Sequence, residues 1–186
     1  MNSKKIKAQF TKDTNPRVGL IVLSTDNMIE KDFLKVLSDK PVDLYVNRIT
    51  NYNPVTAENL KKMTKNITSV ADNILPGEKV DCVVFGCTSG TIVSGFENIK
   101  KKINLAKPNA SVTAPSNAAL NALKKKNIKK ISIVTPYIKS LNDDVVNFFK
   151  ENEFEITSNT YFDIESDLDI GKVDQDKLFE ILSEID

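Results

Sequence analysis

The sequence predicts an α/β fold in which parallel strands alternate with crossover helices. Short runs rich in β-branched residues alternate with stretches of helical periodicity along the chain. Several of the strand runs are apolar throughout, as strands covered by helices on both faces should be. A length of 186 residues suits one compact domain or two small lobes that share an interface.

Six strands are predicted, and apolar stripes at helical spacing lie between and after them. The strands cover Val18–Ser24, Val42–Ile49, Val80–Phe85, Ser111–Ala114, Lys130–Thr135 and Phe154–Tyr161. Three helical stripes are expected to lie in the core, and they consist of Leu60, Met63, Ile67, Val70 and Ile74, of Leu141, Val145, Phe148 and Phe149, and of Leu178, Ile181, Leu182 and Ile185.

Two strand segments look like the equivalent openings of two similar halves, which predicts a diverged duplication. Arg17–Ser24 and Lys130–Thr135 are both apolar runs that end in hydroxyl-bearing residues. We therefore expect a flexible polar tail over 1–15, a first lobe over 16–112 and a second lobe over 113–186. The second lobe is expected to be incomplete, because no closing strand follows the helix that ends near Ile185.

The charge balance is nearly neutral and points away from polyanionic partners. Lys and Arg number 26 against 25 Asp and Glu, for a formal charge of +1, so no overall field attracts nucleic acid or an anionic membrane. No apolar run reaches the length of a bilayer-spanning helix, and the Lys-rich N-terminus lacks the apolar core of a signal peptide. These features predict a cytoplasmic protein with a small-molecule or protein partner.

The chain has no histidine, which removes the commonest general base and the commonest metal ligand together. Zinc hydrolysis and histidine-dependent serine or cysteine triads are therefore excluded. The two cysteines, Cys82 and Cys87, lie too close along one strand and turn to form a useful disulfide, and a reducing compartment would leave both as thiols.

The sharpest local feature is a strand, a tight turn and a helix around Cys87. This residue falls at the carboxyl end of the strand, the edge where open α/β sheets bind ligands. A helix dipole and free amides favour thiolate over thiol, so Cys87 is predicted to be a catalytic thiolate. Thr88 and Ser89 can cap the helix, and the same amides are suited to hold a substrate carboxylate.

Core packing and phosphate binding are two other interpretations of this segment. A small buried apolar residue is the commoner role of a cysteine; the strand-end position of Cys87 favours catalysis, whereas Cys82 lies mid-strand and is interpreted as core packing. A phosphate-binding loop at Gly86, Gly90 and Gly95 is disfavoured, because the chain has neither a Walker lysine there nor a Gly-x-Gly-x-x-Gly pattern.

Several motifs together resemble the aspartate/glutamate racemase superfamily, in its branch of maleate isomerases and arylmalonate decarboxylases. They are Gly86-Cys87-Thr88-Ser89 and Thr135-Pro136-Tyr137, each after an apolar strand, and Leu20–Asp26 with Glu30. Within the branch, the ectoine-utilisation A-type proteins are the most similar. The likeness extends from about Arg17 to the end of the chain.

The resemblance implies two flavodoxin-like lobes related by a pseudo-twofold axis, with one cysteine from each lobe facing across a cleft and no metal or organic cofactor. Cys87 matches the first cysteine, while Tyr137, Thr88 and Ser89 match residues that contact a substrate carboxylate. An ordinary turn aromatic is the alternative for Tyr137. The implied activity is that of a racemase or a cis–trans isomerase acting on a small carboxylic or amino acid through the Cys87 thiolate.

Asp26 and Asp167 depart from the resemblance, since maleate isomerases carry amide side chains at the corresponding positions. Two carboxylates would repel a dicarboxylate and favour an ammonium group, so an amino-acid-like substrate, for example a diaminobutyrate derivative, is a candidate. Asp26 is also a candidate for polarising or orienting Cys87. The alternative for both is a solvated loop aspartate, and this alternative is favoured for Asp167 within the acidic stretch Asp163–Asp169.

The resemblance further implies a second cysteine-bearing strand, and the sequence ends at Asp186 without one. We therefore expect a C-terminally truncated fragment or a chain without paired-thiol catalysis. A non-catalytic small-molecule binding module is the main alternative. An arylmalonate-type decarboxylase is disfavoured by the presence of Cys87, and a flavodoxin-like redox or signalling domain by the lack of a phospho-acceptor cluster. The substrate and the formation of a homo-oligomer stay open.

Overall fold

The computed structural model describes residues 3–12 and 14–184. Ile185 and Asp186, which the sequence interpretation used, lie outside the described residues. Within these residues, the six strands are β1 (Arg17–Leu23), β2 (Asp43–Ile49), β3 (Cys82–Phe85), β4 (Ser111–Thr113), β5 (Lys130–Thr135) and β6 (Glu155–Tyr161). The helices in the described ranges are α1 (Ile29–Leu37), α2 (Ala57–Met63), α3 (Ile67–Asp72), α4 (Thr88–Ser94), α5 (Phe96–Ala106), α6 (Pro115–Lys125), α7 (Lys139–Glu151), α8 (Asp167–Ile170) and α9 (Gln175–Glu184), with a 3-10 turn at Thr64–Asn66.

The first sheet has the strand order β2-β1-β3-β4, and all its strands are parallel. β1 lies inside the sheet, and its residues Leu20, Ile21 and Val22 have no exposed surface. Alternate side chains point to opposite faces, so Ile21 joins the large core under α2, α3 and α5, while Leu20 and Val22 pack with Phe33 on the other face. Apolar side chains therefore cover both faces, as the continuous apolar strands predict.

The second sheet consists of β5 and β6, which are also parallel. Ile133 of β5 packs against Val145 and Val146 of α7, and Ile92 of α4 joins the same cluster. The unit β5-α7-β6 repeats the order β1-α1-β2, which is what a duplicated chain predicts. The fold class inferred from the sequence, α/β with parallel sheets and crossover helices, is confirmed.

All six predicted strands are present, with ends within two residues of those expected. The predicted helix stripe from Leu60 to Ile74 is buried in large part, but it is divided between α2 and α3, and Ile74 follows the end of α3. The hydroxyl of Thr64 donates to the Lys61 carbonyl at 2.9 Å, a side-chain bond that competes with regular helix hydrogen bonding and accompanies the 3-10 turn.

The expectation that the last helical stripe lies in the core was wrong. No residue of α9 that the structure describes is buried, and Leu182 is 46% exposed. Among the described residues, the clusters of buried apolar side chains include none from α9. No helix among the described residues is long and apolar enough to cross a bilayer.

We predict that α5 stabilises the fold through one face only. Ile99 has no exposed surface, whereas Leu105 on the same helix is 70% exposed. Ile99→Ala should lower the free energy of unfolding by about 2–5 kcal/mol through lost burial and a residual cavity. Leu105→Ala, the matched control, should change it by less than about 0.5 kcal/mol. Chemical denaturation measures both, and equal effects would contradict this packing of α5.

Candidate active site

Cys87 ends the turn between β3 and α4 and caps the helix that follows. Its backbone is extended, with φ −139° and ψ 110°, and its Sγ accepts a hydrogen bond from the Gly90 N–H at 3.3 Å. The Cys87 carbonyl accepts from the Thr91 N–H at 3.2 Å and from the Thr91 hydroxyl at 2.6 Å. These bonds fix the thiol on the first turn of α4, where Cys87 is only 5% exposed.

The missing side chain of Gly90 makes room for this thiol. A Cβ at position 90 would lie 2.8 Å from Cys87 Sγ and 3.1 Å from Met63 Cε. Met63 has no exposed surface, so it has little freedom to move aside. Position 90 is therefore enclosed by the Cys87 sulfur on one side and by Met63 of α2 on another.

A cavity of about 200 Å³ lies beside the thiol at the carboxyl edge of the first sheet. Residues that follow β1, β2 and β3 contribute to its wall, as expected for the ligand-binding edge of a parallel sheet. The structure brings together in this wall every site residue that the sequence singled out, namely Asp26, Cys87, Thr88, Ser89, Tyr137 and Asp167. Their chemical roles stay predictions.

Asp26 follows β1 and is tied to the start of α1. Its Oδ1 accepts hydrogen bonds from the N–H groups of Met28 at 2.8 Å and Ile29 at 3.0 Å. Its own carbonyl accepts from the Arg48 guanidinium at 2.8 Å. The loop that carries Asp26 is therefore held by side-chain and backbone bonds at once.

Asp167 reaches the cavity from the start of α8, far along the chain. Its Oδ2 accepts hydrogen bonds from the Thr25 hydroxyl and, at 3.4 Å, from the Asn51 amide, while its N–H donates to Asn53 Oδ1 at 3.1 Å. Burial raises the pKa of Asp167, the Thr25 hydroxyl opposes this shift, and the charge of Asp26 adds to it. The favoured expectation of a solvated loop aspartate was wrong, because these bonds draw α8 onto the first lobe.

Asn51 is a site residue that the sequence interpretation missed. It lines the cavity two residues after β2, accepts from the Ser24 hydroxyl at 2.7 Å and donates to Thr25 Oγ1 at 2.7 Å. It thereby joins the ends of β1 and β2 to Asp167. The rule that pointed to Cys87, which marks polar residues at the carboxyl ends of parallel strands, could have found it.

Burial opposes the effect that the helix start is predicted to have on the Cys87 thiol. Burial raises the pKa of the Cys87 thiol to about 11. Hydrogen bonding from Gly90 and Ser89 lowers the pKa, as anticipated, but the charges of Asp167 and Asp26 raise it again. Desolvation exceeds the helix effect here because the thiol is almost completely enclosed.

Tyr137 brings a neutral phenol to the same wall. Burial raises its pKa to about 12, and the hydroxyls of Ser89 and Thr88 oppose this shift. The phenol is therefore protonated at neutral pH and can donate a hydrogen bond. Together with Thr88 and Ser89, Tyr137 supplies hydroxyl donors close to the thiol.

The fold and the cavity define a class of protein: an α/β protein with a buried cysteine at the carboxyl edge of a parallel sheet, facing two aspartates and several hydroxyls. Within the described ranges, no group of three or more His, Cys, Asp or Glu side chains is arranged to hold a metal ion. The arrangement suits chemistry carried by the sulfur and by the charges around it.

A sequence model of the arylmalonate decarboxylase family matches residues 55–185. The chain belongs to this family. It is also 24% identical over 183 residues to a maleate isomerase of Geobacillus stearothermophilus, covering 91% of this chain and 72% of the relative. A maleate isomerase of Pseudomonas putida is 26% identical, with the same coverage.

Solved structures agree with the fold. A maleate cis-trans isomerase of Nocardia farcinica, a cysteine-to-serine variant with a covalently bound succinylcysteine intermediate, superposes with a TM-score of 0.82 at 18% identity and covers 93% of this chain and 74% of that one. The maleate isomerase Iso of Pseudomonas putida with maleate has a TM-score of 0.81 at 20% identity and covers 91% and 72%.

We predict that the packing of Gly90 and the position of the thiol are coupled. Gly90→Ala should destabilise the fold by about 1–3 kcal/mol, the usual cost of overpacking, because the new methyl group would meet Cys87 Sγ. In a Cys87→Ala background the same change should cost measurably less, because the sulfur is gone. A double-mutant cycle by chemical denaturation measures the coupling, and additive costs would contradict the contact.

We predict that the Cys87 thiol stays protonated well above neutral pH. The thiolate absorbance of Cys82→Ser is measured against pH and compared with that of a double variant that also carries Cys87→Ser. The difference between the two curves belongs to Cys87 and should rise with a midpoint near pH 11. Subtraction of the double variant removes the tyrosine signal. A midpoint below 9.0, the ordinary value, would contradict the dominance of burial.

The same shift links stability to pH with a definite sign. A thiol whose folded-state pKa is raised holds its proton more tightly in the folded chain, so its contribution to stability is present below pH 9.0 and is lost as the pH rises toward 11. Between these values, wild-type stability should fall more steeply than that of Cys87→Ala. Parallel curves would contradict this linkage.

Proposed function

We propose that this chain is a cofactor-independent isomerase that acts on a small carboxylate-bearing molecule, with Cys87 as its nucleophile. The observation that carries the proposal is the thiol itself, fixed by the Gly90 N–H in a cavity wall with Tyr137, Thr88 and Ser89. The similarity to maleate isomerases supports it. Among isomerase reactions, cis–trans isomerisation is one that a single thiol can complete alone.

The proposed reaction balances without any external reagent. The sulfur of Cys87 bonds to one alkene carbon of the substrate, and the π electron pair moves to the neighbouring carbon, which receives the thiol proton. The carbon–carbon bond is then single and rotates. Elimination returns the proton to sulfur, breaks the carbon–sulfur bond and restores the double bond in the other geometry. The succinylcysteine of the Nocardia farcinica relative corresponds to such an adduct.

The neighbouring hydroxyls are proposed to bind the substrate carboxylate. Tyr137 remains a hydrogen-bond donor because its pKa is raised to about 12 by burial. Thr88 and Ser89 lie on the first turn of α4, beside the thiol. Donors aimed at this carboxylate would also stabilise negative charge that develops beside it during addition.

Racemisation is the alternative to cis–trans isomerisation. It requires an acid and a base on opposite faces of the substrate carbon, and Cys87 is the only thiol among the described residues of the cavity wall. A non-catalytic binding module is the second candidate function. The raised pKa of Cys87 favours it, because a neutral thiol is a poor nucleophile.

The motifs around Cys87 and Tyr137 support three finer proposals. The chain is proposed to be nearest to the ectoine-utilisation A-type branch. Residues 16–112 and 113–186 are proposed as its two lobes, and the cytoplasm as its compartment.

We predict that Cys87→Ala abolishes both turnover and adduct formation. The chain is incubated with maleate and other cis α,β-unsaturated carboxylates, the trans product is followed by NMR, and the adduct by intact-protein mass spectrometry. Cys82→Ala is the matched control, because Cys82 lies in β3 outside the cavity wall, and it should keep wild-type behaviour.

Turnover by folded Cys87→Ala, or an adduct on Cys82, would overturn the role of Cys87. Deuterium exchange at the α-carbon of amino acids, lost in Cys87→Ala, would replace cis–trans isomerisation by racemisation. Thermal stabilisation by small carboxylates without any chemical change in the wild type would favour the binding module.

A further inference from the structure

The cavity wall beside Cys87 carries an unusual charge for a site expected to hold a carboxylate. Two of its lining residues, Asp26 and Asp167, are acidic, and none of those that the structure describes is lysine or arginine. We call these two residues the acid pair. A wall of this kind attracts a cation and repels an anion.

Each member of the acid pair keeps one carboxylate oxygen available. Asp26 uses Oδ1 for the amides at the start of α1, and Asp167 uses Oδ2 for Thr25 and Asn51. The Oδ2 atom of Asp26 and the Oδ1 atom of Asp167 accept no hydrogen bond from any described residue. Unpaired carboxylate oxygens in a partly enclosed wall favour a charged donor from a ligand.

Two basic side chains that contact residues of the wall, Arg48 and Lys62, are already engaged. Arg48 pairs with Glu30 and donates to the carbonyls of Leu23 and Asp26 rather than to a carboxylate of the pair. Lys62 lies over the ring of Tyr52, with its Nζ 4.2 Å from the ring centroid. Neither side chain makes an ion pair with Asp26 or Asp167.

We infer that the ligand of this cavity carries an ammonium group, held by Asp26 and Asp167, as well as a carboxylate held near Thr88, Ser89 and Tyr137. The inference rests on the proposed function, because it takes the cavity of Cys87 as the substrate site. It distinguishes this chain from its relatives named as maleate isomerases, since maleate carries two carboxylates and no cation.

An ammonium group at the acid pair would also assist the sulfur. The charges of Asp167 and Asp26 contribute to the raised pKa of the Cys87 thiol. A bound cation offsets these charges and lowers the pKa, whereas a second carboxylate in the same place would raise it further. The preferred ligand is therefore also the one that makes the thiol more reactive.

Saturated ligands test the inference without any chemistry at the thiol. Calorimetry compares γ-aminobutyrate with succinate, and β-alanine with malonate, on the wild-type chain. In each pair the first ligand has an aminomethyl group, CH2–NH3+, where the second has a carboxylate, and the first should bind at least about tenfold more tightly. Asp26→Asn and Asp167→Asn should each reduce this preference, and the double variant should abolish or reverse it.

Asp169→Asn is the matched control, because Asp169 is exposed, pairs with Lys172 and lies outside the cavity wall. It removes the same charge and should leave the preference unchanged. The Asn variants keep the oxygen that accepts the hydrogen bonds of Asp26 and Asp167, so their folds should be retained, which circular dichroism checks. The inference is overturned if neither ammonium ligand binds more tightly than its dianionic counterpart, or if Asp169→Asn changes the preference as much as Asp26→Asn.

Unsaturated ligands separate this inference from the proposed function. The chain is given cis-γ-aminocrotonate and maleate, and formation of the trans isomers is followed by NMR. Ammonium-selective binding without isomerisation of either compound would support the inference and oppose the proposed isomerase. Isomerisation of maleate with tighter binding of succinate than of γ-aminobutyrate would support the isomerase and overturn the inference.

Discussion

The position of one sulfur atom constrains the rest of the site. Cys87 Sγ accepts a hydrogen bond from the Gly90 N–H at 3.3 Å. This contact requires that position 90 has no side chain and that β3 ends two residues before Cys87. Met63 closes the space from α2. Core packing and cavity geometry therefore depend on the same few atoms, and a change that improves one disturbs the other.

Two opposing effects act on that sulfur, and their relative sizes decide whether the thiol is protonated. The helix start contributes a hydrogen bond that favours thiolate, but enclosure removes the water that would solvate the charge. The net change from 9.0 to about 11 amounts to roughly 3 kcal/mol against ionisation. At rest, Cys87 therefore packs as a small apolar residue, and its reactivity depends on what enters the cavity.

The fold was largely predictable from the sequence, because the six strands are short apolar runs whose period and length leave few alternatives. Cys87, at the carboxyl end of a strand, was predictable for the same reason, whereas Asp26 was found through the family resemblance. Asp167 was harder to assign, since its position depends on hydrogen bonds to Thr25 and Asn51, which lie more than one hundred residues away. The raised pKa of the Cys87 thiol could not be predicted from the sequence, because the degree of enclosure is a property of tertiary packing, which local pattern does not contain.

The fold itself requires a hydrogen-bond acceptor at each member of the acid pair. The amides of Met28 and Ile29 need an acceptor at Asp26, and an asparagine oxygen would serve as well. Thr25 and Asn51 likewise need an acceptor at Asp167 but not a charge. Partial burial makes the Asp167 carboxylate unfavourable, and the neighbouring Asp26 adds to this cost. The start of α1 favours a negative charge at Asp26, but the hydrogen bonds of Asp167 give no reason for a second charge beside it, so we account for the pair of charges by what the cavity binds.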